Sequence, residues 1–160
     1  MKKAFFGFLL FFAFFSSYSQ SFSLSDHTFK VGVYYRTYEI YFDLGKYTLD
    51  VTKSKPVLDS LVTFIKNNPS LSIEIGVHTD SRGSNIANTM LSQGRANSIN
   101  DYFIAAGILQ SRLKAVGYGE SKLLIKDDVI ERYKTKEEQE AQHQKNRRVE
   151  FKIISISQTD

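Results

Sequence analysis

The sequence predicts an α+β fold: a two-layer α/β sandwich of order β-α-β-α-β-(α)-β, with a mixed sheet and its helices on one face. Three observations carry this. Ile73, Ile75 and Val77 alternate with Glu74, Gly76 and His78, the period of a half-buried strand. Asp80 to Asn85 is then dense in turn formers, and Ala87, Met90, Leu91, Ile99 and Phe103 return at mostly helical spacing. Val149, Phe151 and Ile153 alternate again near the C-terminus and supply a closing strand.

Residues 1–19 read as a secretory signal peptide. Lys2 and Lys3 form a basic start, Ala4 to Phe15 an apolar run, and Ser17-Tyr18-Ser19 offers small residues before a cleavage point at Gln20. The apolar run is short for an uncleaved anchor, and no later stretch suits a membrane-spanning helix. Residues 20–38 follow as an N-terminal arm. Ser21 to Lys30 is polar and reads as loose; Val31 to Tyr35 fits a short strand or a bulged lead-in.

The domain itself is expected over 39–156. Glu39 to Leu44 alternates, with Ile40 and Phe42 on one face, and reads as its first strand. Thr52 or Ser54 can cap a helix with Pro56 in its first turn. Val57, Leu58, Leu61, Val62 and Ile65 form its buried stripe, and Asn67-Asn68-Pro69 ends it. After the central strand, loop and helix, Gly107 sits where a left-handed C-cap belongs, with Ile108 as its hydrophobic contact. Leu113 to Val116 is a short strand, and Gly117-Tyr118-Gly119 turns the chain. The segment 122–145 is a charged insertion with helix formers and almost no apolar stripe. Residues 157–160 form a tail.

Composition narrows the function. Seven of the 13 Phe residues lie in the first 19 positions, so the aromatic content says little about the domain. Without Lys2 and Lys3, 19 basic residues stand against 17 acidic ones. That surplus is too small to argue for nucleic acid. The chain has no Cys, which excludes a disulfide scaffold, a Cys-zinc site, a thiol nucleophile and a lipidated N-terminal Cys. His27, His78 and His143 are scattered, with no acidic cluster around them to hold a metal. No enzyme chemistry, cofactor or metal is expected.

The candidate site lies where the central strand runs into its helix. Asp80 stands at the strand exit and Arg95 about two turns into the helix. A carboxylate and a guanidinium facing one cavity would suit a ligand carrying both an ammonium and a carboxylate. Backbone N–H groups at the helix start add to such a site. Each residue also has a plainer reading. Asp80 can be a turn residue, Arg95 an exposed helix Arg, His78 a hydrogen-bonded loop anchor and Asn88 a loop-ordering amide. Arg147 and Arg148 divide between a site wall and structural ion pairs. Lys134 to Glu140 reads as a solvated face.

Five ordered blocks then stand out: His78-Thr79-Asp80-Ser81-Arg82-Gly83-Ser84, Asn88, Leu91-Ser92 with Arg95-Ala96, Gly117 to Ser121, and Asn146-Arg147-Arg148-Val149-Glu150. Together they resemble the OmpA-like peptidoglycan-binding domain, over about Glu39 to Ile154. The resemblance implies a periplasmic, non-catalytic module that binds the peptidoglycan stem peptide, chiefly diaminopimelate, at the cell wall or outer membrane. Asp80, of the Thr79-Asp80 pair, would receive the ligand's ammonium and Arg95 its carboxylate. Groups around Asn88 would complete the site, with Arg147 and Arg148 close by. An outer-membrane protein partner is compatible with this. The alternative is a structural subunit of an envelope complex, docking through the charged insertion or the arm. Three departures stand: Gly94 where the family often has Arg, Leu123 near a usual Pro, and a longer segment from Lys126 to Gln144.

Overall fold

The computed structural model describes residues 21–157. The signal-peptide reading of residues 1–19 and most of the tail lie outside the described residues. The elements in chain order are β1 (Tyr34–Thr37), α1 (Val51–Asn67), β2 (Leu71–His78), α2 (Asn85–Ala105), β3 (Leu113–Gly119), α3 (Asp127–Ile130), α4 (Lys136–Asn146) and β4 (Arg148–Ile156). The mixed sheet has the order β1-β4-β2-β3. β2 and β3 are parallel, and β4 runs antiparallel to both β1 and β2. Among the described residues, no helix is long and apolar enough to cross a membrane.

Alternation along the strands separates the two faces. Ile73, Ile75, Val77, Val149, Phe151 and Ile153 share one core with Leu58, Leu61 and Ile65 of α1 and with Ile99 and Phe103 of α2. The other face is polar. Glu74 accepts hydrogen bonds from Tyr118 Oη (2.5 Å) and Lys114 Nζ (3.0 Å). Burial pushes the Tyr118 hydroxyl up to about 12, and its bond to Glu74 adds to the shift.

The first strand is not where alternation placed it. Tyr34–Thr37 occupies the edge beside β4, while residues 39–44 form a loop with one bridge, Phe42 to Leu49. Ile40 is buried and Phe42 packs on the core, so the inward face was read correctly. Their backbone is engaged elsewhere: Tyr41 N donates to Ser54 Oγ (2.9 Å) and Asp50 N to Tyr41 O (2.9 Å). Ser54 therefore ties this loop to α1 instead of capping the helix. The cap is Asp50, whose Oδ1 accepts from Lys53 N. The helix thus starts early, and Pro56 is its sixth residue.

The arm is packed, not loose. Phe22 is only 8% exposed and stacks on Phe64 at 5.3 Å between centroids, with Phe29 edge-on to both rings. Gly32 N donates to Ile153 O (2.8 Å), tying the arm to the sheet. In α2 the early apolar residues mislead. Met90 is 71% exposed, and the buried face begins with Asn88, Ser92 and Ala96. Small residues are needed there because α2 lies close on β3. A Cβ on Gly117 would sit 2.1 Å from Gln93 N and 2.5 Å from its Cα. The helix ends as expected: Gly107 has φ +90°, and Ile108 N bonds back to Phe103 O (3.0 Å), the Schellman pattern.

The charged insertion is ordered. Thr135 and Glu138 form a capping box on α4. Buried Asn146 accepts from Leu124 N and Ile125 N and donates to Ile125 O, so the insertion is pinned at the start of β4.

Gly117→Ala should lower the unfolding free energy by about 3 kcal/mol, the upper range for forcing a methyl into a packed contact. A urea midpoint equal to wild type would contradict the backbone contact between α2 and β3.

Candidate functional site

β2 delivers His78, Thr79 and Asp80 to the end of the sheet, and Ser84 caps α2 through Ala87 N (3.2 Å). Asp80 is buried, and a buried carboxylate needs cationic partners. Its Oδ1 accepts from Arg82 N (3.1 Å). Its Oδ2 accepts from Arg82 Nε (3.2 Å), Arg82 Nη2 (2.7 Å) and Arg147 Nη1 (2.5 Å). Burial alone would raise its pKa, but the bonds from Arg82 and Arg147 outweigh it and hold the carboxyl below its usual range. The same two guanidiniums meet Glu140 of α4: Arg82 Nη1 at 2.8 Å and Arg147 Nη2 at 2.6 Å. Gln144 Oε1 accepts from Arg147 Nε (3.0 Å) as well.

Arg95 is held differently. Its Nε donates to Lys46 O (2.9 Å), and its guanidinium carbon lies 4.8 Å from the Phe42 ring centroid. Ser98 Oγ donates to Tyr47 O (2.7 Å), so α2 grips the loop at two points. Gly94 makes room for this: a Cβ there would fall 2.9 Å from Tyr47 Cβ and Cγ. Among the described residues, no acceptor occupies Arg95 Nη1 or Nη2. Arg95 lines a cavity of about 240 Å³ with Tyr38, Tyr41, Leu44, Arg147 and Val149. Burial, together with repulsion from Arg147, lowers its pKa.

The expected meeting of Asp80 and Arg95 in one cavity is not found, because the Asp80 carboxylate is taken up by Arg82 and Arg147. Arg95 and Arg147 both line the cavity; Asp80 does not, and its link to the cavity is the bond from Arg147 Nη1. Asn88 Nδ2 is taken up by Asp80 O (3.3 Å) and Arg82 O (3.2 Å) of the loop after β2 and by Glu120 Oε2 (2.6 Å) just past β3. Thr79 N donates to Gly119 O, and its Oγ1 is buried without a partner among the described residues.

Arg148 is buried and structural in its contacts, although it also lines the cavity wall. Nε donates to Glu150 (2.8 Å), Nη1 to Asn146 O (3.1 Å) and Nη2 to Lys122 O (3.0 Å). Glu150 also receives Arg36, and His78 Nε2 lies 3.4 Å from its second oxygen. Burial opposes ionisation of Glu150, but His78 and Arg148 overcome it and hold the carboxyl far down. Burial also pushes His78 down, and its ring stacks on Tyr118 at 4.9 Å. Among the described residues, no group of three His, Asp or Glu side chains is placed to hold a metal.

The sequence reads Glu140 as part of a solvated face and gives Gln144 no role, yet both pair with Arg147. Their spacing was the available signal: positions 140 and 144 share one face of α4, and Arg147 follows directly after the helix.

The OmpA family profile matches residues 41–146. The chain belongs to the OmpA family. It is 31% identical over 100 residues to the peptidoglycan-associated lipoprotein of Legionella pneumophila, covering 62% of this chain and 51% of that one. It is 36% identical over 81 residues to outer membrane porin F of Pseudomonas fluorescens, covering 48% of this chain and 25% of that protein. The chain thus spans a quarter to a half of the length of these relatives. A MotB-like protein from Desulfovibrio vulgaris has a TM-score of 0.61 at 26% identity, covering 78% of this chain and 74% of that one. The peptidoglycan-associated lipoprotein of Burkholderia pseudomallei has a TM-score of 0.56 at 24% identity, covering 71% and 86%. It shows the OmpA-family fold.

Asp80 and Glu150 are both held below their usual range. Depressed carboxyls stabilise the fold above their unfolded pKa, and that contribution is lost as pH falls through the folded value. Glu150→Gln should therefore be less stable than wild type at pH 7, with the gap closing below about pH 4. Urea midpoints across pH 7 to 3 check this; a gap independent of pH would contradict it.

Proposed function

We propose that this chain binds peptidoglycan without chemical change, gripping the diaminopimelate end of the stem peptide and anchoring an envelope component to the cell wall. The observation that carries this is the state of Arg95. Its Nε is held by Lys46 O and its guanidinium lies over the Phe42 ring, while both Nη groups have no acceptor among the described residues and Arg95 lines the cavity. A planar fork held in this way suits a carboxylate, which accepts two parallel N–H bonds.

The ligand's ammonium is assigned to Asp80. It replaces a guanidinium N–H on Oδ2, where Arg147 is the partner shared with the cavity. Thr79 and Asn88 hold the loop that presents Asp80, and Arg147 and Arg148 form the far wall. A relative named for its association with peptidoglycan, matched over 62% of this chain, supports the reading of peptidoglycan as the ligand. We assign no reaction to the site. Export through residues 1–19 and a periplasmic position beside the wall or outer membrane belong to this reading.

Pull-down on purified sacculi and calorimetric titration with meso-diaminopimelate test it. Asp80→Ala and Arg95→Ala should each lose roughly 2–5 kcal/mol of affinity, because truncation leaves the ligand's opposite charge unpaired. That is roughly thirty-fold to a few thousand-fold. Arg95→Lys should recover only part, since an ammonium keeps the charge and loses the fork. Retention of both Ala variants at the wild-type level would overturn the proposal.

A further inference from the structure

We infer that Glu140 is a positioning residue that sets the site's preference for a cationic group: it holds Arg82 and Arg147 when Asp80 is given over to an ammonium. The inference rests on the assignment of Asp80 and Arg95 made above. Glu140 belongs to the charged helix that the sequence reads as a solvated face. Both of its ion pairs reach out of α4, one to the loop after β2 and one to the residue just before β4.

The four groups close a ring. Arg82 gives Nε and Nη2 to Asp80 and Nη1 to Glu140. Arg147 gives Nη1 to Asp80 and Nη2 to Glu140. Two carboxylates and two guanidiniums leave no net charge. Asp80 is the buried acid, with 8% of its side chain exposed; Glu140 is the outer one, at 50%.

An ammonium that reaches Asp80 Oδ2 competes with three guanidinium N–H groups already there. A guanidinium that lets go must find another acceptor or stand unpaired beside the incoming cation, where like charges repel. Glu140 already accepts a bond from each guanidinium, and Gln144 accepts a further one from Arg147. Arg147 can therefore leave Asp80 and stay paired. Without the Glu140 charge the ring carries a net +1, and an arriving ammonium meets repulsion. Both arguments give the same sign.

The test is calorimetric titration of purified wild type and Glu140→Gln with two ligands, meso-diaminopimelate and pimelate. Pimelate keeps both carboxylates and lacks the ammonium groups. Glu140→Gln should weaken diaminopimelate roughly three- to tenfold, the scale of two part-exposed ion pairs, and leave pimelate as tight as in wild type or tighter, since a net positive ring does not repel a carboxylate. Unchanged helical circular dichroism confirms that α4 persists in the variant. Equal affinity for diaminopimelate in both proteins, or equal loss for both ligands, overturns the inference. If wild type binds diaminopimelate and Asp80→Ala does not, while Glu140→Gln matches wild type, this inference alone falls. If wild type fails to bind at all, the assignment of the site falls and takes the inference with it.

Discussion

The contact on which the rest of the structure depends is the close approach of α2 to β3 at Gly117. Because no side chain stands there, the Gln93 backbone rests against the strand. The contact also seals the free edge of β3. Gln93 Oε1 accepts from Gly117 N (2.9 Å), Gln93 Nε2 donates to Ala115 O (3.3 Å) and Ser92 Oγ accepts from Gly119 N (2.9 Å). An edge strand left open would be a template for pairing with another chain. One helix face thus closes the sheet, and the turns on either side of it fall into register with the site. Asn88 lands against the Asp80 loop and Glu120, and Arg95 lands over the loop at 42–47.

Charge is organised around two carboxylates, one buried and one half-buried. Asp80 and Glu150 each sit among guanidiniums, Arg82 and Arg147 around the first, Arg36 and Arg148 around the second. Buried ion pairs add little net stability, because desolvation offsets the attraction, but they are costly to break on one side. Such pairs fix position. Arg148 is spent on this work, with donors on Glu150, Asn146 and Lys122. Arg147, its neighbour in sequence, faces the cavity and shares its donors among three residues. The difference follows from β-strand alternation at the start of β4, which sends Arg148 to the polar face of the sheet beside Glu150 and leaves Arg147 at the strand's mouth.

Much of the architecture was legible because the central strand, the stripe of α1 and the Gly107 cap each rest on local rules. The misreadings share one cause: side-chain pattern reports which way a residue faces, not what its backbone or charge is bonded to. Ile40 and Phe42 do face inward, yet Tyr41 bonds to α1 through Ser54. Phe22 sits in a polar stretch, and partners distant in sequence, Phe64 and Ile153, hold the arm in order. Met90 keeps helical spacing but lies outside, since the inner face is reserved for Ser92 and Ala96 by the backbone contact. At the site, the matched blocks named Asp80, Arg95, Arg147 and Arg148. They could not reveal that Arg147 stands between the first two. Glu140 was hidden for the same reason, as a charge in a charged helix whose partners lie 58 and seven residues away.

The central claim is that Arg95 offers an open fork while Asp80 exchanges a guanidinium for a ligand's ammonium. A crystal structure of the chain with meso-diaminopimelate tests it most directly. The account predicts a carboxylate on both Nη groups of Arg95 and an ammonium on Asp80 Oδ2, with Arg147 drawn back onto Glu140 and Gln144. A bound ligand that leaves the Asp80–Arg147 pair intact, or that sits away from Arg95, would contradict it.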